Sequence, residues 1–132
     1  MAKFESVLLV DDNQQCIDFM ARALEAEGGV HVTSEMVPLR ALARVHEERP
    51  SVVLLDIKMP DLDGFGLLTQ LRSEGNATPI IMLSGSARQQ DIDHAYELGC
   101  SGYFEKPTSI GDYRSLAKTV IGYWRSGELS AA

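Results

Sequence analysis

The sequence has few basic residues and no long apolar run. Lysine and arginine together number 12, against 19 aspartates and glutamates, so the formal net charge is −7. Without a basic stripe, direct binding of this chain to nucleic acid is not expected. Its apolar runs are too short to cross a bilayer, and the first residues lack the apolar stretch of a signal peptide. We therefore expect a cytoplasmic chain with no membrane contact.

Cysteine is also scarce, and neither cysteine has the spacing of a metal site. Cys16 falls in a predicted helix and Cys100 follows a glycine, which favours two plain thiols in a reducing compartment. The three histidines are scattered and are expected on the surface: His31, His46 and His94. Cysteine and histidine therefore indicate neither a disulfide framework nor a metal centre.

What the sequence does have is a regular alternation of short apolar runs and longer segments with helical periodicity. With 132 residues, 45% of them hydrophobic, it can form one packed domain. Strands are predicted at residues 6–10, 30–33, 52–55, 79–83 and 102–105. Helices are predicted at residues 14–27, 38–49, 65–72, 88–98 and 110–124. This order predicts an α/β fold with a parallel sheet over residues 1–125 and a flexible tail at 126–132.

Three of the predicted strands, at 6–10, 52–55 and 79–83, are apolar throughout. Such strands lie in the centre of a parallel sheet that is covered by helices on both faces, so the other two strands should lie at or near the edges.

At the start of the first helix, Asp12 and Gln15 read as a capping box. The second helix should bury three residues: Leu39, Leu42 and Val45.

Acidic residues follow two of the central strands at the point where each strand ends. Asp11 and Asp12 come after the first strand, and Asp56 comes after the third. Ser84 and Lys106 occupy the same place after the fourth and fifth strands. In such folds ligands bind at the carboxyl ends of the strands, and clustered carboxylates repel one another unless a cation neutralises them. The pattern indicates a divalent metal and phosphate chemistry.

Together these motifs resemble the receiver domain of two-component response regulators, over about residues 7–124. Four segments, each at a strand end, show the resemblance: Val10-Asp11-Asp12, Asp56-Ile57-Lys58-Met59-Pro60-Asp61-Leu62-Asp63-Gly64, Ser84-Gly85 and Lys106-Pro107. Each segment alone is a weak signal, but their order makes the combination specific. The resemblance implies a flavodoxin-like (βα)5 fold, a doubly wound parallel five-stranded sheet with strand order 2-1-3-4-5.

The resemblance assigns the acidic residues to phosphate and metal binding. Asp56 is expected to be the phosphoacceptor, a nucleophile that attacks a phosphoryl group and forms an aspartyl phosphate. Asp11, Asp12 and Asp56 are expected to hold Mg²⁺, for which Mn²⁺ can substitute, together with the backbone carbonyl of Lys58. Helix capping alone would explain Asp12 but neither Asp11 nor Asp56.

Three further residues receive roles from the resemblance. Lys106 would pair with Asp56 and then with the transferred phosphoryl oxygens. Ser84 would donate its hydroxyl to a phosphoryl oxygen, and Tyr103 would be the switch aromatic whose ring rotates inward after phosphorylation. The Lys106–Pro107 bond is implied to be cis. Without the resemblance, the residues would also be compatible with plainer interpretations: a turn residue at Ser84, a half-buried strand tyrosine at Tyr103 and a surface lysine at Lys106.

The expected function is that of a phosphorylation-dependent signalling switch. A histidine kinase or phosphotransfer protein would supply the phosphoryl group, and phosphorylation would change the surface of the last helix, strand and helix. That surface would bind a downstream protein or form a homodimer. The chain would catalyse only its own phosphorylation and dephosphorylation. Because it ends just after the final helix, it resembles the single-domain, chemotaxis-regulator-like members, which act through protein contacts.

Other classes of function stay open. A haloacid-dehalogenase-type phosphatase also uses a nucleophilic aspartate, but it needs a second aspartate two positions later, where this chain has Lys58. Turnover of a small phosphate ester would support that class. A flavin-binding module needs a Ser/Thr/Gly-rich loop after the first strand, whereas Asp11 and Asp12 would repel a flavin phosphate. A pure interaction domain that takes no phosphate is disfavoured by the complete set of site residues.

Overall fold

The computed structural model describes residues 5–59, 63–85 and 88–126, and in these ranges five strands alternate with five helices, as predicted. The strands are β1 (Glu5–Val10), β2 (Val30–Glu35), β3 (Val52–Asp56), β4 (Ile80–Ser84) and β5 (Gly102–Glu105). The helices are α1 (Gln14–Glu25), α2 (Pro38–Glu48), α3 (Gly64–Ser73), α4 (Gln89–Glu97) and α5 (Ile110–Ser126). The quoted loop residues 60–62 lie outside the described residues, as do residues 127–132 of the predicted tail, whereas Ser126 is the last residue of α5.

The five strands form one parallel sheet in the order β2-β1-β3-β4-β5. This is the flavodoxin-like (βα)5 topology that was predicted. The strands with weaker apolar patterns, β2 and β5, occupy the two edges, which confirms that prediction also. In the register, Val10 pairs with Leu55, and Asp56 pairs with Leu83. The central strands therefore end at nearly the same level, which brings the residues that follow them close together.

Alternate residues of the central strands face opposite sides of the sheet. In β1, Val7 and Leu9 face α1 and α5, whereas Leu8 and Val10 face α2, α3 and α4. Helices thus cover both faces and make the sheet doubly wound. On the first face, α1 and α5 contribute these buried residues: Ile17, Met20, Ala23, Leu24, Tyr113, Leu116, Ala117, Val120 and Ile121. Within the described ranges, no helix combines the length and the apolarity that a bilayer span requires.

Asn13, and not Asp12, caps α1. The Asn13 side chain accepts a hydrogen bond from the Cys16 N–H at 3.1 Å, and the first helical residue is Gln14. The prediction of a capping box that starts at Asp12 is therefore wrong. Asparagine is as good a capping residue as aspartate, so the helix can begin one position later. Asp12 consequently has no part in capping.

The second helix presents a different face to the core than its leucines predict. α2 buries Ala41 and Val45, which are four positions apart, whereas Leu39 is 64% exposed and Leu42 is half-buried. Residues two positions apart on a helix point to different sides. With Ala41 against the sheet, Leu39 must therefore face solvent, so the predicted burial of Leu39 is wrong.

The histidines and cysteines behave as predicted. All three histidines are exposed: His31, His46 and His94. Cys16 and Cys100 are both free thiols, the first half-buried and the second buried. Neither cysteine therefore takes part in a disulfide.

The C-terminal end of α5 is attached to the side of the molecule where the strands begin. Trp124 donates from Nε1 to the Ser51 carbonyl at 3.2 Å, and the Arg125 guanidinium donates to the Gly28 carbonyl at 2.7 Å. Ser51 directly precedes β3, and Gly28 lies in the connection from α1 to β2. The N-terminus of α5, in contrast, follows the carboxyl end of β5.

Candidate functional site

Three carboxylates converge at the carboxyl edge of the sheet. Asp11 follows β1, Asp12 is the next residue, and Asp56 is the last residue of β3. One oxygen from each carboxylate lies within 4.8 Å of the others. Asp11 and Asp56 are each only 6% exposed, whereas Asp12 is exposed. Because β1 and β3 are adjacent and parallel, their register explains why residues so distant in sequence meet here.

Lys106 places an ammonium group beside this cluster. Its Nζ lies 2.8 Å from Oδ2 of Asp11 and 3.5 Å from Oδ2 of Asp56. Its backbone N–H donates to the Ser84 carbonyl at 2.6 Å, which holds the residue after β5 against the end of β4. The pairing with Asp56 is therefore as predicted, but the shorter contact, with Asp11, was not.

The Lys106–Pro107 bond is trans. No cis peptide bond occurs in the described residues, so the predicted cis bond is wrong for this structure. An X–Pro bond favours the trans form by about 0.5–1 kcal/mol unless a tight turn requires cis. Here four residues separate the end of β5 from the start of α5, which is enough to connect them without such a turn.

Burial and neighbouring charges determine the ionisation of the site. Burial, and after it the charge of Asp11, raises the pKa of Asp56 to about 6, while Lys106 opposes this shift. Burial acts to lower the pKa of Lys106, but the hydrogen bond and charge of Asp11, and then the charge of Asp56, outweigh it and raise that pKa. Lys106 is therefore a stable ammonium, and Asp56 is ionised near neutral pH.

The set of donor atoms fits a hard divalent cation. Three carboxylates face one ammonium, which leaves an excess of two negative charges in a largely buried cluster. Mg²⁺ and Mn²⁺ prefer such oxygen ligands, and carboxylates are their usual protein ligands. Asp11 is also oriented for this role, because its Oδ1 accepts the Asn13 N–H at 2.9 Å. The residues that would hold the cation are Asp11, Asp12 and Asp56.

Comparison with known families agrees with this geometry. Residues 7–118 match the family model of the response regulator receiver domain. The chain belongs to this family. Receiver domains are signalling switches of two-component systems, and they bind Mg²⁺ or Mn²⁺ at an acidic pocket. Response regulators interact with histidine kinases and with downstream targets. Membership of this family argues against the phosphatase and flavin-binding alternatives.

The receiver domain is similar to several curated proteins. It is 30% identical over 116 residues to the KDP operon transcriptional regulatory protein KdpE of Escherichia coli, covering 88% of this chain and 51% of that protein. It is 35% identical over 117 residues to the probable transcriptional regulator ycf27 of Guillardia theta, covering 89% and 45%. An uncharacterized 14.6 kDa protein of Leptolyngbya boryana is 34% identical over 103 residues, with 76% and 78% covered. The chain thus spans about half the length of the two transcriptional regulators.

Solved structures share the fold of this receiver domain. The receiver domain of the Francisella response regulator 1452 matches with a TM-score of 0.78 and 30% identity, covering 92% of this chain and 98% of that one. The phosphorylated cyanobacterial phytochrome response regulator RcpA matches with a TM-score of 0.86 and 25% identity, covering 97% and 99%. The receiver fold is therefore established for nearly the whole chain.

The remaining predicted site residues of the receiver domain lie on β4, on β5 or just after β3. Ser84 is only 2% exposed and ends β4, the strand next to the one that bears Asp56. Lys58 is exposed and lies two residues after Asp56. Tyr103 of β5 is half-buried and packs against the apolar layer under α2, α3 and α4. Ser84 is thus one strand away from the strand that bears Asp56, and Tyr103 lies on the edge strand beyond it, opposite Met82.

Two residues outside the predicted set of site residues contact Asp11 or the backbone of Asp56. Asn13 caps α1 and also donates its N–H to Asp11. At Gly64, an added Cβ would lie 2.6 Å from the Asp56 carbonyl oxygen and 2.8 Å from the Ile57 Cα, so only glycine fits this close approach. In the sequence both residues carry the signal of a local turn or helix start. Their contact with the site depends on the tertiary fold.

Proposed function

We propose that this receiver domain is a phosphoacceptor switch in which Asp56 accepts a phosphoryl group from a histidine kinase or phosphotransfer protein. One observation supports the assignment most directly. The Asp56 carboxylate is 6% exposed, lies 3.5 Å from the Lys106 ammonium and belongs to a three-carboxylate cluster. A carboxylate that only capped a turn would need neither the ammonium nor the two acidic neighbours. The cytoplasmic location is part of the same proposal.

The transfer step follows from the chemistry of the side chains. An Asp56 carboxylate oxygen forms a bond to phosphorus while the phosphorus–nitrogen bond of the donor phosphohistidine breaks, and the histidine nitrogen keeps the electron pair. Lys106 lies within reach of the phosphoryl oxygens and offsets their charge. A bound Mg²⁺ would further neutralise those oxygens. Asp11, Asp12 and Asp56, with the Lys58 carbonyl, are the proposed ligands.

The proposed response to phosphorylation passes through the two strands at the β5 edge. Ser84 would donate its hydroxyl to a phosphoryl oxygen, and its movement would give the Tyr103 ring space to turn inward. β4 and β5 are paired there, with Met82 opposite Tyr103. The outer surface of α4, β5 and α5 would then change and bind a downstream protein or a second copy of the chain. Direct contact with nucleic acid is not part of the proposal.

Intact mass after incubation with Mg²⁺ and phosphoramidate tests this function. The wild type should gain the mass of one phosphoryl group, and Asp56→Asn should not. Asp93→Asn is the matched control, since Asp93 is an exposed aspartate that is bound to Gln89 in α4 and lies outside the cluster. It should gain the same mass as the wild type. Absence of any gain in the wild type would favour a phosphorylation-independent interaction domain.

A further inference from the structure

A half-buried arginine joins the end of α3 to the end of α4. Arg72 lies in the last turn of α3. Its Nε donates to the Gly99 carbonyl at 2.9 Å, and its Nη1 donates to the Asn76 carbonyl at 2.8 Å. Gly99 lies in the connection from α4 to β5, and Asn76 lies in the connection from α3 to β4. One side chain therefore ties together two connections at the side of the molecule where β4 and β5 begin.

Gly99 allows a close approach of the Arg72 side chain. The φ of Gly99 is +99°, and a Cβ added to it would lie 3.2 Å from the Arg72 Nε and 3.3 Å from the Arg72 Cγ. Glycine adopts a positive φ without strain and leaves room for this contact. The third guanidinium nitrogen, Nη2, is buried and has no acceptor among the described residues. The two carbonyls therefore determine how the guanidinium is oriented.

The C-terminal end of α4 is also attached to the sheet. Its buried residue, Ala95, lies in the last turn, and Cys100 in the following connection is 2% exposed. Ser101 donates its N–H to the Ile80 carbonyl at 2.7 Å, and the Ile80 N–H donates to the Ser101 hydroxyl at 3.2 Å. This end of α4 is therefore held to α3 through Arg72 and to the start of β4 through Ser101.

The N-terminal end of α4 is more exposed. Gln89 and Gln90, its first two residues, are both exposed, and the N-cap residue, Arg88, makes no side-chain capping hydrogen bond. This end follows the carboxyl end of β4, which is Ser84. The two ends of α4 thus differ. The end that follows Ser84 is open to solvent, and the opposite end is packed and hydrogen-bonded.

We propose that Arg72 is a positioning residue that fixes the C-terminal end of α4, so that a change at Ser84 moves the N-terminal turn of this helix. The link to Ser84 rests on the proposed phosphoacceptor function, whereas the fixed end does not. Arginine suits this task, because its planar guanidinium donates to two carbonyls in a rigid arrangement. A lysine has one ammonium on a flexible stem, so Arg72→Lys should not replace both hydrogen bonds.

The reactivity of the Cys100 thiol measures how often the fixed end opens. In a Cys16→Ser background, Cys100 is the remaining cysteine. Arg72→Met should raise its rate of reaction with the disulfide reagent DTNB at least about tenfold, as expected for the loss of a hydrogen bond from a charged group. Arg40→Met is the matched control, because Arg40 is exposed on α2. Its rate should equal that of the Cys16→Ser parent.

Global unfolding must be separated from opening at the end of α4. Urea unfolding of each variant gives the fraction of unfolded chain, and this fraction gives the Cys100 rate that global unfolding alone would produce. A rate in Arg72→Met above that value supports the fixed end. If the rate does not rise, or rises only in proportion to the unfolded fraction, Arg72 is an ordinary stabilising contact and the proposal is wrong.

Backbone hydrogen exchange in the wild type tests the difference between the two ends and needs no variant. The Ile92 N–H donates to the Arg88 carbonyl at 3.2 Å, and the Cys100 N–H donates to the Ala95 carbonyl at 3.1 Å. In the unphosphorylated protein, the Ile92 N–H should exchange faster than the Cys100 N–H. Equal rates, or faster exchange at Cys100, would overturn the proposal.

Exchange after incubation with Mg²⁺ and phosphoramidate tests the link to Ser84. Phosphorylation should change the exchange of the Ile92 N–H in the wild type, and it should reach the Cys100 N–H only in Arg72→Met. An equal change at both positions in the wild type would contradict a fixed end. If the wild type takes no phosphate but its exchange and Cys100 reactivity are as expected, the phosphoacceptor function fails and the fixed end stands.

Discussion

At the scale of single residues, Asp56 shows how a reactive group weakens the fold that holds it. Its pKa of about 6 lies above the usual 3.8, so the folded chain binds this proton more tightly than the unfolded chain does. The stability that this group contributes is fully present below about pH 4 and is lost as the pH rises through about 6. Near neutral pH the ionised carboxylate therefore opposes folding.

Replacing Asp56 should consequently stabilise the metal-free domain. Asp56→Asn should raise the free energy of unfolding near neutral pH by about 1–2 kcal/mol, after allowance for screening by water at the open edge of the site. Urea unfolding in a chelating buffer measures this difference, which should shrink as the pH approaches about 4. Asp18→Asn, an exposed change on α1, should shift stability by less than about 0.5 kcal/mol. A less stable Asp56→Asn at neutral pH would contradict the prediction.

The two thiols should differ in reactivity. Cys100 is 2% exposed, and burial raises the pKa of its thiol to about 11, so it is a neutral thiol at ordinary pH. Cys16 is half-buried on α1. In the native domain, a disulfide reagent such as DTNB should modify Cys16 first and Cys100 only when the chain unfolds. Cys16→Ser should abolish the native reaction, and a fast native reaction that persists in this variant would show that Cys100 is accessible.

At the scale of the elements, strands were easier to predict than helix faces. The central strands are apolar on both faces, so their position in the sheet follows from composition alone. In α2, by contrast, the exposed Leu39 and the buried Ala41 show that closeness to the sheet, and not hydrophobicity, selects the buried face. The Asn13 cap was missed for a similar reason. Asp12 and Asn13 are equally good caps, and only the geometry of the strand end decides between them.

The start of α3 offers a sharp test of how elements position the site. Gly64→Ala would place a methyl group against the backbone of Asp56 and Ile57. It should lower the free energy of unfolding by about 1–3 kcal/mol and reduce phosphorylation, because the end of β3 must move. Gly122→Ala in α5, where nothing lies within 4 Å, should instead add about 0.5–1 kcal/mol of stability. Urea unfolding and intact mass measure the two effects.

If Gly64→Ala were as stable and as readily phosphorylated as Gly122→Ala, the close approach at Gly64 would not constrain the site. Loss of stability alone, with normal phosphorylation per folded molecule, would place the strain in α3 and leave the carboxyl end of β3 undisturbed. Both outcomes can be distinguished because the two measurements are made on the same variants.

At the scale of the whole molecule, the excess of negative charge at the site predicts that a divalent cation stabilises the domain. Mg²⁺ at about 100 times its dissociation constant should add about 2.7 kcal/mol and raise the thermal midpoint. Asp12→Asn should weaken this gain, and since Asp12 is exposed, it should change the metal-free midpoint little. Asp18→Asn should respond to Mg²⁺ as the wild type does. An equal Mg²⁺ response in Asp12→Asn would remove Asp12 from the ligand set.

The molecule as a whole also shows which parts of the site a sequence can predict. Residues at the ends of adjacent parallel strands must be neighbours, so the convergence of Asp11, Asp56 and Lys106 was predictable from the topology. The shorter contact of Lys106 with Asp11 was not, because it depends on side-chain conformations. The ring contact between Phe19 of α1 and Tyr113 of α5 was equally unpredictable, since the relative positions of these two helices are fixed only by packing on the sheet.

The attachment of α5 at its far end determines how that helix can respond to events near Lys106. Hydrogen bonds from Trp124 and Arg125 hold its last turn against the side of the molecule where the strands begin. A helix of 17 residues is about 25 Å long, so its first turn, near Lys106, lies far from these two hydrogen bonds. We expect a displacement at the Lys106 end to move the first turn of α5 more than its last turn. The displacement should be largest around Ile110 and decrease toward Trp124. We therefore expect a partner that responds to this displacement to bind the first turns of α5.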